Sequence, residues 1–218
     1  MLNIAVLVSG GGTNLQALID AQGRGELGIG KLSLVVASKP GVYALERAAQ
    51  AGIPALTIAR KDYPDIDAYC DAMLKVLREN HISLVVLAGY LSILNEAFIE
   101  AFPNQIINVH PSLIPSFCGK GYYGLKVHEA ALARGVKVTG ATVHFVNAEP
   151  DGGPIIFQKA VEVLPGDTPE VLQKRVMEQA EWLLLPKAVA LFCKGWLHVE
   201  EDGKVIIEEV KGCHDRDS

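Results

Sequence analysis

Asn108 and His110 stand two residues apart at the end of the apolar run Gln105-Ile106-Ile107-Asn108-Val109-His110, just before Pro111-Ser112-Leu113-Ile114-Pro115. On a strand, side chains two apart share a face. If the run is a strand of an open α/β sheet, its carboxyl end faces the ligand crevice. There an amide able to polarise a carbonyl and an imidazole able to move a proton would meet one reacting group. An Asn and a His at a strand end can equally serve only to satisfy turn backbone groups, and the pair alone does not decide between the two.

A carboxylate that could complete the set lies in Asn147-Ala148-Glu149-Pro150-Asp151-Gly152-Gly153-Pro154, after the strand-like run 140–146. Asp151 sits between a proline and two glycines, where Asp is usually a turn residue. Beside a distant histidine it becomes a group that orients and charge-stabilises the imidazole. A zinc set of His110, His144 and Asp151 matches no recognised ligand spacing, so no metal is expected and His144 reads as an internal strand residue. Cys118 has no paired base in the sequence and reads as an inert thiol.

The third feature is Ser9-Gly10-Gly11-Gly12-Thr13-Asn14, between a first apolar run and a first helical one. Backbone N–H groups and the helix dipole at such a junction can hold a phosphate. The loop lacks the Gly-Lys-Ser/Thr ending of a triphosphate loop, and Leu15 stands where the dinucleotide fingerprint has its third glycine. No acidic residue ends the second strand, so the ribose anchor of a nicotinamide cofactor is missing. A single phosphomonoester fits better, the alternative being a glycine turn with Thr13 capping the helix.

The elements that must position these residues alternate. Apolar runs at 2–8, 32–37, 55–58, 83–88 and 105–110 alternate with helical patterns near 15–21, 42–51, 65–80 and 95–102. This predicts a Rossmann-like, doubly wound α/β fold with helices on both faces of the sheet. After an irregular, glycine-rich 111–123 and a helix at 125–134, the runs 138–146 and 154–163 are expected to pair antiparallel, making the mostly parallel sheet a mixed one. Thr168-Pro169-Glu170 starts a long helix by capping, by proline in the first turn and by an acid at the dipole's positive end. It is predicted to reach about 185, kink at Pro186 and resume to 194, ahead of a short hairpin over 196–207. Residues 1–210 are expected to form one domain, with 211–218 a mobile tail.

With 218 residues, half of them apolar, and a net charge of −5, the chain offers no general attraction for nucleic acid or anionic membrane. Any anion must be caught locally. The four cysteines show no C-x-x-C spacing and read as free thiols, no signal peptide opens the chain, and no apolar span reaches about 18 residues. A cytoplasmic protein with small-molecule partners is expected, as a monomer or homodimer.

Taken together, Asn108-x-His110-Pro111-Ser112-Leu113, Asp151-Gly152-Gly153-Pro154 and the opening glycine loop, in order across residues 1–190, resemble the glycinamide ribonucleotide formyltransferase family of folate-dependent formyltransferases. The resemblance implies formyl transfer from the co-substrate 10-formyltetrahydrofolate to the amine of glycinamide ribonucleotide in purine biosynthesis. The amine would attack directly, with neither covalent intermediate nor metal. Asn108 and protonated His110 would stabilise the oxyanion, and Asp151 would support His110 and help move a proton. By the same resemblance Gly12, Thr13 and Asn14 bind the acceptor's phosphate, Pro111 and Glu181 contact the acceptor, and Leu91, Ser92, Ile93 and Leu94 line the folate site with Asn108. Read without the resemblance, Glu181 is equally a solvated helix charge. Two departures bear on the folate tail: Ser92 stands where Arg is common in the family, and Ile66 stands near another such Arg. The nearest alternatives are a formyltetrahydrofolate hydrolase and a non-catalytic folate- or nucleotide-binding module on the same fold.

Overall fold

The computed structural model describes residues 1–208; the expected mobile tail at 211–218 lies outside them. Seven strands form one sheet: β1 (Leu2–Val8), β2 (Gly30–Ala37), β3 (Ala55–Thr57), β4 (Leu84–Leu87), β5 (Ile106–His110), β6 (Val138–Phe145) and β7 (Ile155–Glu162), in the order β3-β2-β1-β4-β5-β6-β7. The first five are parallel, and β6 runs antiparallel to both β5 and β7. The predicted mixed, doubly wound sheet is therefore present. The chain winds outward from β1 to β3 and returns to place β4 on the other side of β1. Ligand crevices open at such a switch point, beyond the carboxyl ends of the strands.

Alternation along the strands divides the core. Val6, Val8, Val35, Val86, Ile107 and Val109 face α1 (Thr13–Gly23), α2 (Tyr43–Gln50) and α7 (Trp182–Cys193), where they pack with Leu15, Leu18, Ala48, Leu185 and Val189. Leu7, Val36, Val85 and Ile106 face α3 (Ile66–Glu79) and α4 (Glu96–Glu100), packing with Tyr69, Met73 and Phe98. The near-continuous apolar strand sequences follow from burial on both faces. On this second face β5 reads Ile106, Asn108, His110, so the apolar stripe turns polar at the strand's end.

Side-chain caps start several helices, and the one at Thr168 was expected from sequence. Asp65 accepts from the Ala68 N–H at 2.8 Å to start α3, and Thr168 accepts from the Val171 N–H at 3.3 Å to start α6 (Pro169–Val176). The C-terminal helical region differs from expectation. A π turn over Met177–Glu181 links α6 to α7, and α7 continues through Pro186. The departure from regular helix thus precedes Pro186 rather than falling at it. α5 (Leu125–Arg134) follows the glycine-rich segment, and β8 (Leu197–Val199) pairs with β9 (Val205–Ile207) as the predicted hairpin. Cys70, Cys118 and Cys193 are free thiols, and Cys213 lies outside the described residues. No helix among those residues is long and apolar enough to cross a membrane.

Candidate active site

The end of β5 carries the centre of the site. In the antiparallel register Asn108 lies opposite His144 and His110 opposite Thr142, so all four side chains share one sheet face. Asn108 Nδ2 donates to His144 Nε2 at 3.1 Å, and His144 Nδ1–H donates to the Phe145 carbonyl at 2.7 Å, which fixes the tautomer of His144. His110 Nε2–H donates to the Phe117 carbonyl at 2.9 Å, leaving Nδ1 at 3.5 Å from Asp151 Oδ2. The other carboxylate oxygen, Oδ1, is 3.5 Å from Asn108 Nδ2 and 3.8 Å from His144 Nε2. Asn108, His110, His144 and Asp151 thus form one cluster.

The turn that delivers Asp151 is tightly determined. Asp151 has φ 56°, a left-handed conformation that Asp tolerates better than most residues. A Cβ on Gly153 would lie 1.9 Å from the Phe145 carbonyl oxygen, so only glycine lets the loop pass the end of β6. From the opposite side the Gly119 N–H donates to Asp151 Oδ2 at 2.8 Å. The irregular 111–123 segment is pinned as well. Thr142 Oγ1 donates to the Ser112 carbonyl at 2.7 Å and accepts from the Ile114 N–H at 3.1 Å, while Gln158 donates to the Ile114 carbonyl at 2.9 Å.

Electrostatics sets the resting protonation. Burial holds the His110 imidazole below its ordinary range, outweighing the pull of the Asp151 charge and the Phe117 carbonyl. Burial raises Asp151, but the neighbouring His144 and His110 rings and the Gly119 N–H together bring it below the usual carboxylate range. At neutral pH the resting pair is therefore a neutral imidazole beside an ionised carboxylate. For His110 to act protonated, as expected, its proton would arrive during the reaction, and Nδ1 faces the carboxylate that would stabilise it. Cys118 is no competitor as nucleophile, since burial pushes its thiol up and its Sγ donates to the Pro115 carbonyl.

Beside the cluster lies a cavity of about 250 Å³ lined by Asn108, His144, Asp151, Tyr90, Ser92, Ile93, Leu94, Val146 and residues of the 147–150 turn. Apolar walls with a few convergent polar groups suit a flat heterocycle. Of the four residues expected there, Ser92, Ile93 and Leu94 line the cavity and Leu91 does not. The exposed Leu91 gives its N–H to Ser9 Oγ at 2.9 Å and borders a neighbouring groove, because consecutive residues of an extended loop point in opposite directions.

The glycine loop sits beyond β1 at the same edge of the sheet. Gly12 has φ 72°, and a Cβ there would lie 2.7 Å from the Ala44 Cβ, so the loop can press against α2 only as glycine. No side chain caps α1, and its first-turn N–H groups are available to an anion. The Thr13 hydroxyl points to Met177 Sδ at 3.5 Å rather than capping the helix. Asn14 Nδ2 donates to Glu181 Oε2 at 2.7 Å, and Asn14 Oδ1 is buried without a partner. Glu181 is 6% exposed, and burial pushes its carboxyl up to about 7. The reading of Glu181 as a solvated helix charge is thereby overturned, the π turn having placed it inward. Pro111 is half-buried directly after His110.

The residue that sequence reasoning missed is His144. Its signal was available: Thr142 and His144 are polar residues two apart on a strand that pairs with β5. His110, His144 and Asp151 do converge, yet among the described residues no group of three or more His, Cys, Asp or Glu side chains is arranged to hold a metal ion.

Residues 2–189 match the formyl transferase family model. The chain belongs to the formyl transferase family. Its mostly parallel mixed sheet is that of the solved formyltransferase structures it resembles. The chain is 39% identical over 211 residues to phosphoribosylglycinamide formyltransferase of Haemophilus influenzae, covering 94% of this chain and 96% of the relative. It is 43% identical over 204 residues to the trifunctional purine biosynthetic protein adenosine-3 of Gallus gallus, covering 94% of this chain but 20% of that longer protein. Among solved structures, glycinamide ribonucleotide transformylase 1 of Symbiobacterium toebii superposes with a TM-score of 0.89 at 42% identity, covering 96% of this chain and 95% of the other. The family resemblance seen in the sequence is borne out.

Proposed function

We propose that the chain transfers a formyl group from 10-formyltetrahydrofolate to the amine of glycinamide ribonucleotide, a step of purine biosynthesis. The observation that carries this reading is the Asn108–His110–His144–Asp151 cluster, which opens onto an apolar-walled cavity on one side and shares its sheet edge with a phosphate-sized loop. The pterin fits between Ile93, Leu94 and the 147–150 turn, with its formyl-bearing nitrogen toward Asn108. The acceptor's phosphate takes the N–H groups at Gly12, Thr13 and Asn14. Its ribose meets Glu181 and Asn14, whose unpartnered Oδ1 accepts a hydroxyl proton. Pro111 borders the space between the two substrates.

The neutral amine attacks the formyl carbon, and a C–N bond forms as negative charge develops on the formyl oxygen. The Asn108 amide donates to that oxygen, the kind of donor whose loss lowers turnover on the order of a hundredfold. His144 holds the amide by accepting its other N–H. The proton lost from the amine passes by way of Asp151 and His110 Nδ1 to the departing folate nitrogen as its bond to carbon breaks. His110 is charged only while it carries that proton, beside the ionised Asp151. The products are N-formylglycinamide ribonucleotide and tetrahydrofolate, and no atom is left on the protein.

The testing experiment follows release of deformylated folate by absorbance with and without glycinamide ribonucleotide. Deformylation that requires the acceptor and yields its formylated form agrees with the proposal. Equal rates without acceptor would instead establish a hydrolase, and no deformylation in either case a binding module.

A further inference from the structure

The peptide planes of the glycine loop are set from behind, by α2. A trans peptide unit points its carbonyl and its N–H in opposite directions, so whatever holds the carbonyl aims the N–H. The Gly10 carbonyl accepts from the Ala44 N–H at 3.2 Å, and the Gly11 carbonyl accepts from the Arg47 Nε–H at 2.9 Å. Both carbonyls are drawn toward α2, so the N–H groups of Gly11 and Gly12, which share those peptide units, face away from it. Neither N–H donates to a backbone carbonyl among the described residues. Arg47 is itself fixed on several sides. Its Nη1–H donates to Gln16 Oε1 on α1 at 2.8 Å, and its guanidinium carbon lies 4.8 Å from the centre of the Tyr43 ring. Its stem packs over Gly12, where a Cβ would lie 3.4 Å from Arg47 Cδ. Asp20 lines the same cavity, but it accepts from Gln16 Nε2 at 2.8 Å rather than from the guanidinium. Among the described residues Arg47 makes no ion pair. A half-buried cation without a counter-charge thus stands against the loop in a chain of net charge −5.

We infer that Arg47 is a positioning residue for the acceptor's phosphate: it holds the Gly11–Gly12 peptide with its N–H toward the anion and adds a full positive charge behind the partial charges of the loop and of α1. The inference rests on the proposed use of the glycine loop as the phosphate site. Three consecutive glycines have wide backbone freedom, and a turn of the Gly11–Gly12 peptide would present a carbonyl to the phosphate where an N–H is needed. By bonding that carbonyl beforehand, Arg47 removes this freedom in the empty site and lowers the ordering cost that the ligand would otherwise meet. Lysine could keep the charge, but it lacks the planar fork that reaches Gly11 and Gln16 together.

The test titrates glycinamide ribonucleotide and its dephosphorylated analogue at equilibrium against the wild type, Arg47→Met and Arg47→Lys. Arg47→Met keeps the apolar stem over Gly12 and removes both the charge and the donors. It should lower the preference for the phosphorylated acceptor by about tenfold, the loss of one charge-assisted interaction, while affinity for the dephosphorylated analogue and for tetrahydrofolate stays as in the wild type. Arg47→Lys should fall between the two proteins, and in steady state the loss should appear in KM for the acceptor rather than in kcat. A wild-type preference that Arg47→Met leaves intact, equal losses for both acceptors, or an Arg47→Lys no better than Arg47→Met overturns the role of Arg47 and leaves formyl transfer standing. A wild type that binds both acceptors equally overturns the phosphate site and the role of Arg47 together.

Discussion

The two ends of the crevice are built by opposite means. At β5–β6 the groups are side chains on adjacent strands, buried, hydrogen-bonded to one another and fixed in protonation by their neighbours. At β1–α1 they are backbone N–H groups on a glycine turn with no side-chain cap. Strands hold side chains with the precision that bond making requires, because a strand end flanked by paired neighbours has little freedom to shift. A helix N-terminus recognises charge without committing a side chain, which suits a phosphate that stays unchanged through the reaction. Changes at the first end should therefore appear in turnover, and changes at the second in acceptor affinity.

The largest effect is expected at the first end. Asn108→Ala and His110→Ala should each lower kcat by about a hundredfold or more, with equilibrium binding of both substrates retained. Steady-state assays with calorimetric binding check this, and near-normal kcat in a folded variant would remove that residue from the chemistry.

Asp151→Asn preserves the shape of the turn but removes its charge. It should slow the chemical step by about tenfold to a hundredfold, since it removes a proton-transfer partner. It should also lower the pKa of His110 further, because the Asp151 carboxylate is the charged group whose pull opposes burial. Single-turnover transfer and an NMR titration of His110 test the two halves separately. An unchanged titration would sever the electrostatic link between the two residues.

At the second end, glycinamide ribonucleotide should bind more tightly than its dephosphorylated analogue by about tenfold to a hundredfold, the range of one or two charge-assisted hydrogen bonds. Calorimetry on the pair checks it, and equal affinities would take the glycine loop out of the acceptor site.

The smallest effect concerns stability. His128 on α5 is fully buried, neither ring nitrogen has a partner, and burial lowers its pKa to about 4. The folded pKa lies below the unfolded one near 6.5, so the unfolded chain binds the extra proton first. Stability should accordingly fall as pH drops from about 6.5 toward 4, and His128→Leu should flatten that slope. Urea unfolding at pH 7 and 5 measures it; identical pH slopes in the two proteins would argue against the burial account.

Much of this division was legible in the sequence. The alternating apolar runs gave the strands and their burial, and Asn108, His110 and Asp151 stood out because polar groups interrupted patterns that backbone geometry had set. Asp151 reaches His110 only through a long-range antiparallel register, which no local spacing encodes. His144 was missed for the same reason: its polarity on a strand could be seen, but its partner Asn108 lies 36 residues away on another strand. The state of Glu181 depended on a π turn, and helical periodicity cannot distinguish an inward carboxylate from a solvated one when the register shifts by one residue. The direction in which Leu91 points was not legible because loop residues carry no period at all.

The division of labour is tested most directly by single-turnover formyl transfer at saturating concentrations of both substrates, run side by side on Asn108→Ala with glycinamide ribonucleotide and on the wild type with the dephosphorylated acceptor. The account predicts that saturation leaves Asn108→Ala about a hundredfold slow while the wild type with the dephosphorylated acceptor reaches its ordinary rate, its defect lying only in acceptor affinity. An ordinary rate for saturated Asn108→Ala, or a slow one for the saturated dephosphorylated acceptor, would contradict it.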